Sequence, residues 1–469
     1  MKLIGSTLAG ISREPSLRFD YDFHQYKNVT AEDSYAFSEL FILNDSLKVS
    51  IDDLRSDFLY CEIGNTNKDG DISPELLNFD NRDLLNESYY AKIEKGDIIP
   101  VDHDDILLSK VRPNLRKFVR VTAETSGIYF TNAFISLKPK TMPAVLYYCL
   151  RGIFHQNLIA ISRQGKGYPT LNANDLLLLK FDKKIIDALS ADSGKISDQI
   201  LEIENVIRTK KTTIKPVQAI VDEVFAHEFG FDYATFENIK KQRTYTAKLS
   251  ALANNPDLRF SAKFHRAAGA FVMEQLTAVT DKKIKNFLTE PIVLGASVSP
   301  GDFDEDGAAY YVSMATIKTL EAELDESQLL SSAYYAAHKE KEVRAGDIIM
   351  ARSGVAIGKT ALIKEEFDGI FADFTMRIRL SNFIPQFACY YFRTAYFQYL
   401  IEIYKKGLQN KNIFPIVIQE FPMIDIPLSE QERIVSKIRA ETDKQSAIKA
   451  EISDLRRKID EIIETASVP

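Results

Sequence analysis

The sequence is poor in the residues that most often do chemistry unaided. Its three cysteines, Cys61, Cys149 and Cys389, are scattered over 469 residues with no C-x-x-C spacing. An odd, dispersed set does not make a disulfide framework and reads as reduced core thiols in a cytoplasmic protein. The six histidines are dispersed too, with no pair four apart on a helix, no H-E-x-x-H and no G-x-S-x-G. Those absences exclude the common zinc-hydrolase and serine-hydrolase signatures. The Asn-Pro-Pro-aromatic tetrapeptide of amino-methyltransferases is missing, since Asn254-Asn255-Pro256-Asp257 does not match it. No apolar run approaches the roughly 20 residues that span a bilayer. Met1-Lys2-Leu3-Ile4-Gly5 does not open a signal peptide. With no catalytic constellation, the chain reads as a binder rather than an enzyme.

Hydrophobic residues at 45% and charged residues at 27% describe a soluble chain long enough for two or three domains. Taken alone, the net charge of −7 argues weakly against nucleic acid, because proteins that grip phosphate are often basic overall. Its distribution matters more. Between Ser109 and Arg120 stand five basic residues, Lys110, Arg112, Arg116, Lys117 and Arg120, and no acid. Between Arg352 and Lys364 stand Arg352, Lys359 and Lys364, again with no acid. The acids collect elsewhere, as in Asp302-Phe303-Asp304-Glu305-Asp306. This segregation permits a nucleic-acid face on an acidic protein.

The chain also repeats itself, with a period of about 240 residues. Leu17-Arg18-Phe19 returns as Leu258-Arg259-Phe260, and Phe23-His24 as Phe264-His265. Asp105-Ile106 returns as Asp347-Ile348, Gly127-Ile128-Tyr129 as Gly369-Ile370-Phe371, and Tyr147-Tyr148 as Tyr390-Tyr391. Within the first half, 105–109, 129–131 and 134–137 have the β-branched and aromatic content of strands, and the same order recurs from about 240 to 427. The apolar stretch 144–164 fits a helix packed against them. Each half is therefore a mixed α+β module.

Each module is followed by a segment of helical period. Ile196, Ile200, Ile203, Ile207, Ile214, Val217, Val221 and Val224 mark the first; Ile434, Ile438, Ile448, Ile452, Leu455, Ile459 and Ile462 mark the second. Two helices of roughly 35 residues with a narrow apolar seam suit an antiparallel coiled coil, or two amphipathic helices each docked on its own module. Pro216 should kink or interrupt the first. Gly354 to Thr360 resembles a phosphate-binding P-loop one residue short, and is read as a tight turn between strands. Asn65 to Ile72 and Asp302 to Gly307 resemble calcium loops. Leu76 and Ser313 stand where the bidentate Glu belongs, so both are read as Asn/Asp/Gly turns.

Taken together, the motifs resemble the specificity subunits of type I restriction–modification systems. In the first half the resemblance rests on Asp105-Ile-Leu-Leu-Ser-Lys-Val-Arg-Pro-Asn-Leu-Arg-Lys117 and Gly165-Lys-Gly-Tyr-Pro-Thr-Leu171 with Asp175-Leu176. In the second it rests on residues 346–359, on Gly407-Leu-Gln-Asn-Lys-Asn-Ile413, and on the run from Ile426 to Ile434 that opens the last helix. Phe181-Asp182-Lys183 departs from the Ile426-Pro427-Leu428 that stands in the second half.

The resemblance implies an α+β protein of two pseudo-symmetric mixed α/β target-recognition domains, separated by two long antiparallel helices forming a coiled coil. The expected divisions are a first domain over 1–185, a central spacer helix over 186–228, a second domain over 229–427, and a C-terminal spacer helix over 428–466. It implies a non-catalytic, cytoplasmic subunit that reads one half of a split double-stranded DNA target with each domain. It would recruit two modification (methyltransferase) subunits and two restriction (motor-nuclease) subunits, with no membrane involved. S-adenosylmethionine, ATP and Mg would then belong to the partners, and this chain would hold no cofactor or metal.

The expected DNA contacts follow from side-chain chemistry. Lys110, Arg112, Arg116 and Lys117 suit phosphates or guanine edges, as do Arg352, Lys359 and Lys364. Asn114, Gln164, Gln409 and Asn410 have the amide geometry that reads adenine, and Tyr168 can stack or cover a thymine methyl. Lys166, Lys405, Lys406 and Lys411 complete the set. Two other readings stay open: an assembly scaffold without DNA contact, and a nucleotide-binding enzyme using Gly354 to Thr360.

Overall fold

Ile106-Leu-Leu-Ser109 is buried at every position, and both of its edges are paired, as befits a strand covered on two faces. It anchors the first of two units. The computed structural model describes residues 21–29, 33–44, 49, 51–54, 56–80, 87–164, 168–242, 244–246, 250, 261, 263–318, 320–325, 327–407 and 411–468. The repeat at Leu17-Arg18-Phe19 and Leu258-Arg259-Phe260 lies outside the described residues, as do Lys166, Gln409 and Asn410. One unit comprises residues 1–213 with 449–469, and the other residues 214–448.

In unit 1 the strands are β1 (Ser34–Ala36), β2 (Phe41–Leu43), β3 (Phe58–Cys61), β4 (Glu75–Leu77), β5 (Ile106–Ser109), β6 (Phe118–Arg120), β7 (Ile128–Phe130) and β8 (Phe134–Pro139). Three short strands follow, β9 (Arg163–Gln164), β10 (Pro169–Thr170) and β11 (Lys180–Asp182). One sheet runs β2-β8-β5-β6, and a second runs β4-β3-β7 with β3 and β7 parallel. Helix α1 (Pro143–Arg151) opens on a proline, which has no amide to lose at that position. The stretch 144–164, expected as one helix, is two. Gly152 takes φ −106° and ψ −97°, outside the helical region, and the chain turns before α2 (His155–Ile161).

Unit 2 repeats this plan. Its strands are β12 (Val293–Leu294), β13 (Ala309–Val312), β14 (Leu329–Leu330), β15 (Ile348–Ala351), β16 (Thr360–Leu362), β17 (Gly369–Phe371) and β18 (Thr375–Ile378). Their orders, β12-β18-β15-β16 and β14-β13-β17 with β13 and β17 parallel, match unit 1 strand for strand. Helices α1 and Pro385–Arg393 both have nine residues, beginning on Pro and ending on Arg. Tyr148 therefore falls at the position of Tyr390, not Tyr391, and the repeat register does not drift there. The repeated Phe-His pairs keep the same edge-on ring contact, with centroids 5.4 Å apart for Phe23–His24 and 5.1 Å for Phe264–His265.

The first helical segment is broken as Pro216 predicts. After a helix at Lys183–Ala191 come α3 (Ser193–Thr212) and α4 (Val217–Phe229), with Pro216 extended at the start of α4. The central helix expected over 186–228 is thus three helices. The C-terminal helix is continuous over Leu428–Ala466. In unit 1, Lys210 of α3 pairs with Glu451, and residues 192–203 line a groove with residues 458–466. In unit 2, the Lys215 amide donates to Gln445 Oε1 at 2.9 Å, and Glu228 pairs with Arg433 and Lys437. In each unit rising numbers meet falling ones, so the helices run antiparallel. Among the described residues no helix is long and apolar enough to cross a membrane.

Unit 2 also contains Ala267–Val279 (α5), Pro385–Arg393 (α6) and Ala395–Tyr404 (α7). These three pack with α4 around one aromatic core that includes Phe225, Phe387, Tyr391 and Tyr396. That core fixes where the ends of α5 and α7 emerge.

Candidate nucleic-acid interface

In unit 1 the basic run forms the loop between β5 and β6. Arg112 and Arg116 have φ of 52° and 54° and flank a 3-10 turn at Pro113–Leu115. Left-handed backbone at a non-glycine residue is uncommon and must be held by its surroundings. The hairpin β9–β10 supplies part of that hold. The Arg112 amide donates to the Pro169 carbonyl at 2.9 Å, the Leu171 amide donates to Lys110 at 2.8 Å, and Val111 bridges Thr170. The Arg112 guanidinium lies over the Tyr168 ring, 5.2 Å from its centroid. Two expected recognition segments, distant in sequence, are thereby brought together.

Within this assembly the side chains divide. Arg112, Asn114, Arg116 and Tyr168 are exposed. Lys110 is half-buried and donates to the Asn132 carbonyl at 2.5 Å; Lys117 is half-buried and donates to the Ile63 carbonyl at 3.0 Å. Each ammonium has three donors, so these contacts restrain but do not exhaust them. Arg120 is different: it is buried and paired with Asp104 at 3.1 Å and with Glu204. Gln164 lies on β9 opposite Pro169.

Arg116 is held by a residue that sequence reasoning treated as dispersed. Its Nε donates to Nδ1 of His155 at 3.3 Å, while His155 Nε2 lies 3.2 Å from the Pro113 carbonyl. An Nε2–H donor and an Nδ1 acceptor satisfy both contacts with a neutral ring. Burial, and then the positive charge of Arg116 and Arg151, push the His155 pKa below its ordinary value, against the opposing Pro113 hydrogen bond.

Unit 2 builds the same junction from different residues. The β15–β16 loop contains a 3-10 turn at Gly354–Ala356, and the segment after α7 comes back to meet it. Ser353 bridges Asn412, Lys406 bridges Asn412, and the Ile413 amide donates to the Arg352 carbonyl at 2.9 Å. Lys359, Lys406 and Lys411 are exposed. Arg352 is half-buried and its Nε donates to the Asp373 carbonyl at 2.9 Å. Lys364 pairs with Glu321 at 3.2 Å, and Lys405 with Glu402. Glu402 also takes Lys263, a cation that no basic run in the sequence announces.

The look-alike motifs resolve into turns. Gly354 to Thr360 is the turn of a β-hairpin in which Met350 pairs with Thr360, and a strand follows where a P-loop needs a helix. The nucleotide-binding reading of that segment therefore falls. In the first calcium-like loop, Asn67 Oδ1 accepts from the amides of Asp69 and Asp71. Asp69 and Asp71 themselves are ion-paired to Arg456, each at 2.7 Å. In the second, Asp304 Oδ1 accepts from the Asp306 amide. Among the described residues no cluster of three or more His, Cys, Asp or Glu is placed to hold a metal. All three cysteines are buried, and burial pushes the Cys61 and Cys389 thiols to about 11 and that of Cys149 to about 12.

The chain matches no protein-family model and no curated protein. It is similar to several solved structures. One is a chain from work on the complex assembly and conformational transition of the type I R-M system, with 14% identity and a TM-score of 0.43 over 92% of this chain and 97% of that one. Another is the HsdS subunit from Thermoanaerobacter tengcongensis, with 14% identity and a TM-score of 0.35 over 92% and 95%. A third is the type I restriction-modification S subunit from M. genitalium, with 11% identity and a TM-score of 0.40 over 93% and 96%.

Proposed function

We propose that this chain is the non-catalytic, DNA-binding specificity subunit of a type I restriction–modification complex, reading a bipartite target. The observation that carries the reading is the duplicated junction. In both units the turn after the central strand is hydrogen-bonded to a distant second segment, and in both that junction presents cations and little acid. A fixed backbone with variable exposed Arg, Lys, Asn and Tyr is what base reading needs: the frame positions and the side chains specify. Arg112, Asn114, Arg116 and Tyr168 are the exposed candidates in unit 1, joined by the half-buried Lys110 and Lys117 and by Gln164 of β9; Lys166 is a further candidate on its side-chain chemistry. In unit 2 the candidates are Arg352, Lys359, Lys405, Lys406 and Lys411, with Gln409 and Asn410 in the same segment. The two units act as two target-recognition domains joined by the spacer helices. Modification and restriction subunits bring S-adenosylmethionine, ATP and Mg, and the complex works in the cytoplasm.

The test is methylome sequencing of a host that carries the chain with its modification subunit. A two-part methylated motif with an unread gap is expected. A continuous motif, or no motif that depends on this chain, would overturn the reading.

A further inference from the structure

Unit 2 gathers cations from two parts of the sequence that share no basic run. Lys263 stands just before α5, and Arg266 is the residue on which α5 opens. Lys263 meets the end of α7, and Arg266 lies near enough to Lys263 and to Tyr399 of α7 for its charge to act on both. Lys263 and Lys405 share the carboxylate of Glu402. Lys263 also feels the charges of Lys405, Lys411 and Arg266, which, after burial, help lower its pKa to about 8. Burial lowers the Lys405 pKa as well. One carboxylate thus stands among four cations, of which Lys263 and Lys411 are exposed and Arg266 and Lys405 half-buried. Asn412, beside Lys411, bridges Ser353, so the cluster is continuous with the β15–β16 loop and its Arg352 and Lys359.

Such crowding does not serve folding. Exposed ion pairs contribute little, and each added like charge costs Coulomb energy at short range. A ligand carrying several phosphates would turn that repulsion into attraction. A single small anion would meet only part of the set, whereas phosphates spaced along a strand can meet cations on both sides of the junction.

We propose that Lys263 and Arg266 form, with Lys405 and Lys411, a phosphate clamp that holds the nucleic-acid backbone beside the second recognition junction. The proposal rests on the DNA-reading function above and adds two residues to it. The clamp has a proton linkage. Lys263 faces Glu402 of α7, Lys405 and Lys411 of the segment that follows it, and Arg266 of its own segment. A bound phosphate restores its ammonium form, so binding takes up a proton at alkaline pH.

The experiment is fluorescence anisotropy of the full-length chain with a labelled non-specific duplex over a range of salt, at pH 7 and pH 9. Lys263→Gln and Arg266→Gln should each reduce the slope of log affinity against log salt by about 0.9. Wild-type affinity should fall by up to about tenfold more than that of Lys263→Arg between the two pH values, since arginine stays charged. Unchanged slopes in both glutamine variants, with wild-type binding intact, would overturn the clamp and leave the DNA reading standing. An equal pH response in Lys263→Arg and wild type would also overturn it. Absence of any salt-dependent binding by the wild type would overturn both.

Discussion

The guanidinium of Arg112 covers the ring of Tyr168 at 5.2 Å, while the Arg112 amide donates to the next residue, Pro169, at 2.9 Å. One arginine therefore ties its own loop to the β9–β10 hairpin twice, through backbone and side chain. The aromatic ring holds the guanidinium away from solvent disorder without consuming its hydrogen-bond donors, which remain for a base edge or a phosphate.

Replacing Arg112 with Ala should weaken DNA binding by roughly 1–3 kcal/mol if it makes a bidentate base contact. The loss should appear with duplexes carrying one half-site and not the other. Arg112→Gly removes the same side chain but accepts φ of 52° without steric cost. Its midpoint of chemical unfolding should be no lower than that of Arg112→Ala, with the same loss of binding. Equal damage to both half-sites would contradict two independent readers.

His155 makes the stability of unit 1 sensitive to mild acid. Its pKa is lowered in the folded chain by burial, whereas unfolding returns it to about 6.5. The unfolded state then binds more protons, so the contribution is complete above pH 6.5 and is lost as pH falls toward the lowered folded value. Urea titrations between pH 7.5 and 5 should show a falling midpoint. His155→Gln should flatten that slope, and a slope identical to wild type would show the ring is not the titrating group.

Glu228 should respond at lower pH. Hydrogen bonds from Arg433, joined by Lys437, hold its carboxyl down at about 2 despite some burial. Its stabilisation is present above the ordinary carboxylate pKa of about 4.3 and is lost as pH falls through about 2. Glu228→Gln should be destabilised near pH 7 by roughly 1.5–3 kcal/mol at most, the range for a hydrogen bond to a charged group. The gap from wild type should close between pH 4 and pH 2, as read by circular dichroism during denaturation.

The purified chain alone should neither methylate or cleave DNA nor hydrolyse ATP. Methylation should appear when a cognate modification subunit is added. Activity from the chain alone, after controls for contaminants, would contradict a purely reading role.

Much of the frame was legible because periodicity reports burial. The unbroken apolar run at Ile106–Ser109 is a central strand, the steps from Ile434 to Ile462 belong to one helix, and Pro216 ends extended where a helix would need its amide. Less legible was anything decided by partners distant in sequence. Arg120 looked like its basic neighbours, yet Asp104 and Glu204 bury it. Lys263 carried no local signal, because only folding brings it to Glu402 and Lys405. The break at Gly152 was missed because apolar residues continue on both sides of it, and periodicity alone does not register a turn between two buried helices.

The shared strand order, β2-β8-β5-β6 in one unit and β12-β18-β15-β16 in the other, carries unlike loops at the same two places. The ends of those loops are pinned largely by main-chain hydrogen bonds, which ask little of the side chains between them. Such a frame is a socket more than a site. On the reading proposed above, a new loop pair in one socket leaves the other untouched, so the repertoire open to a lineage of such chains grows as the product of two sets of loops rather than as their sum.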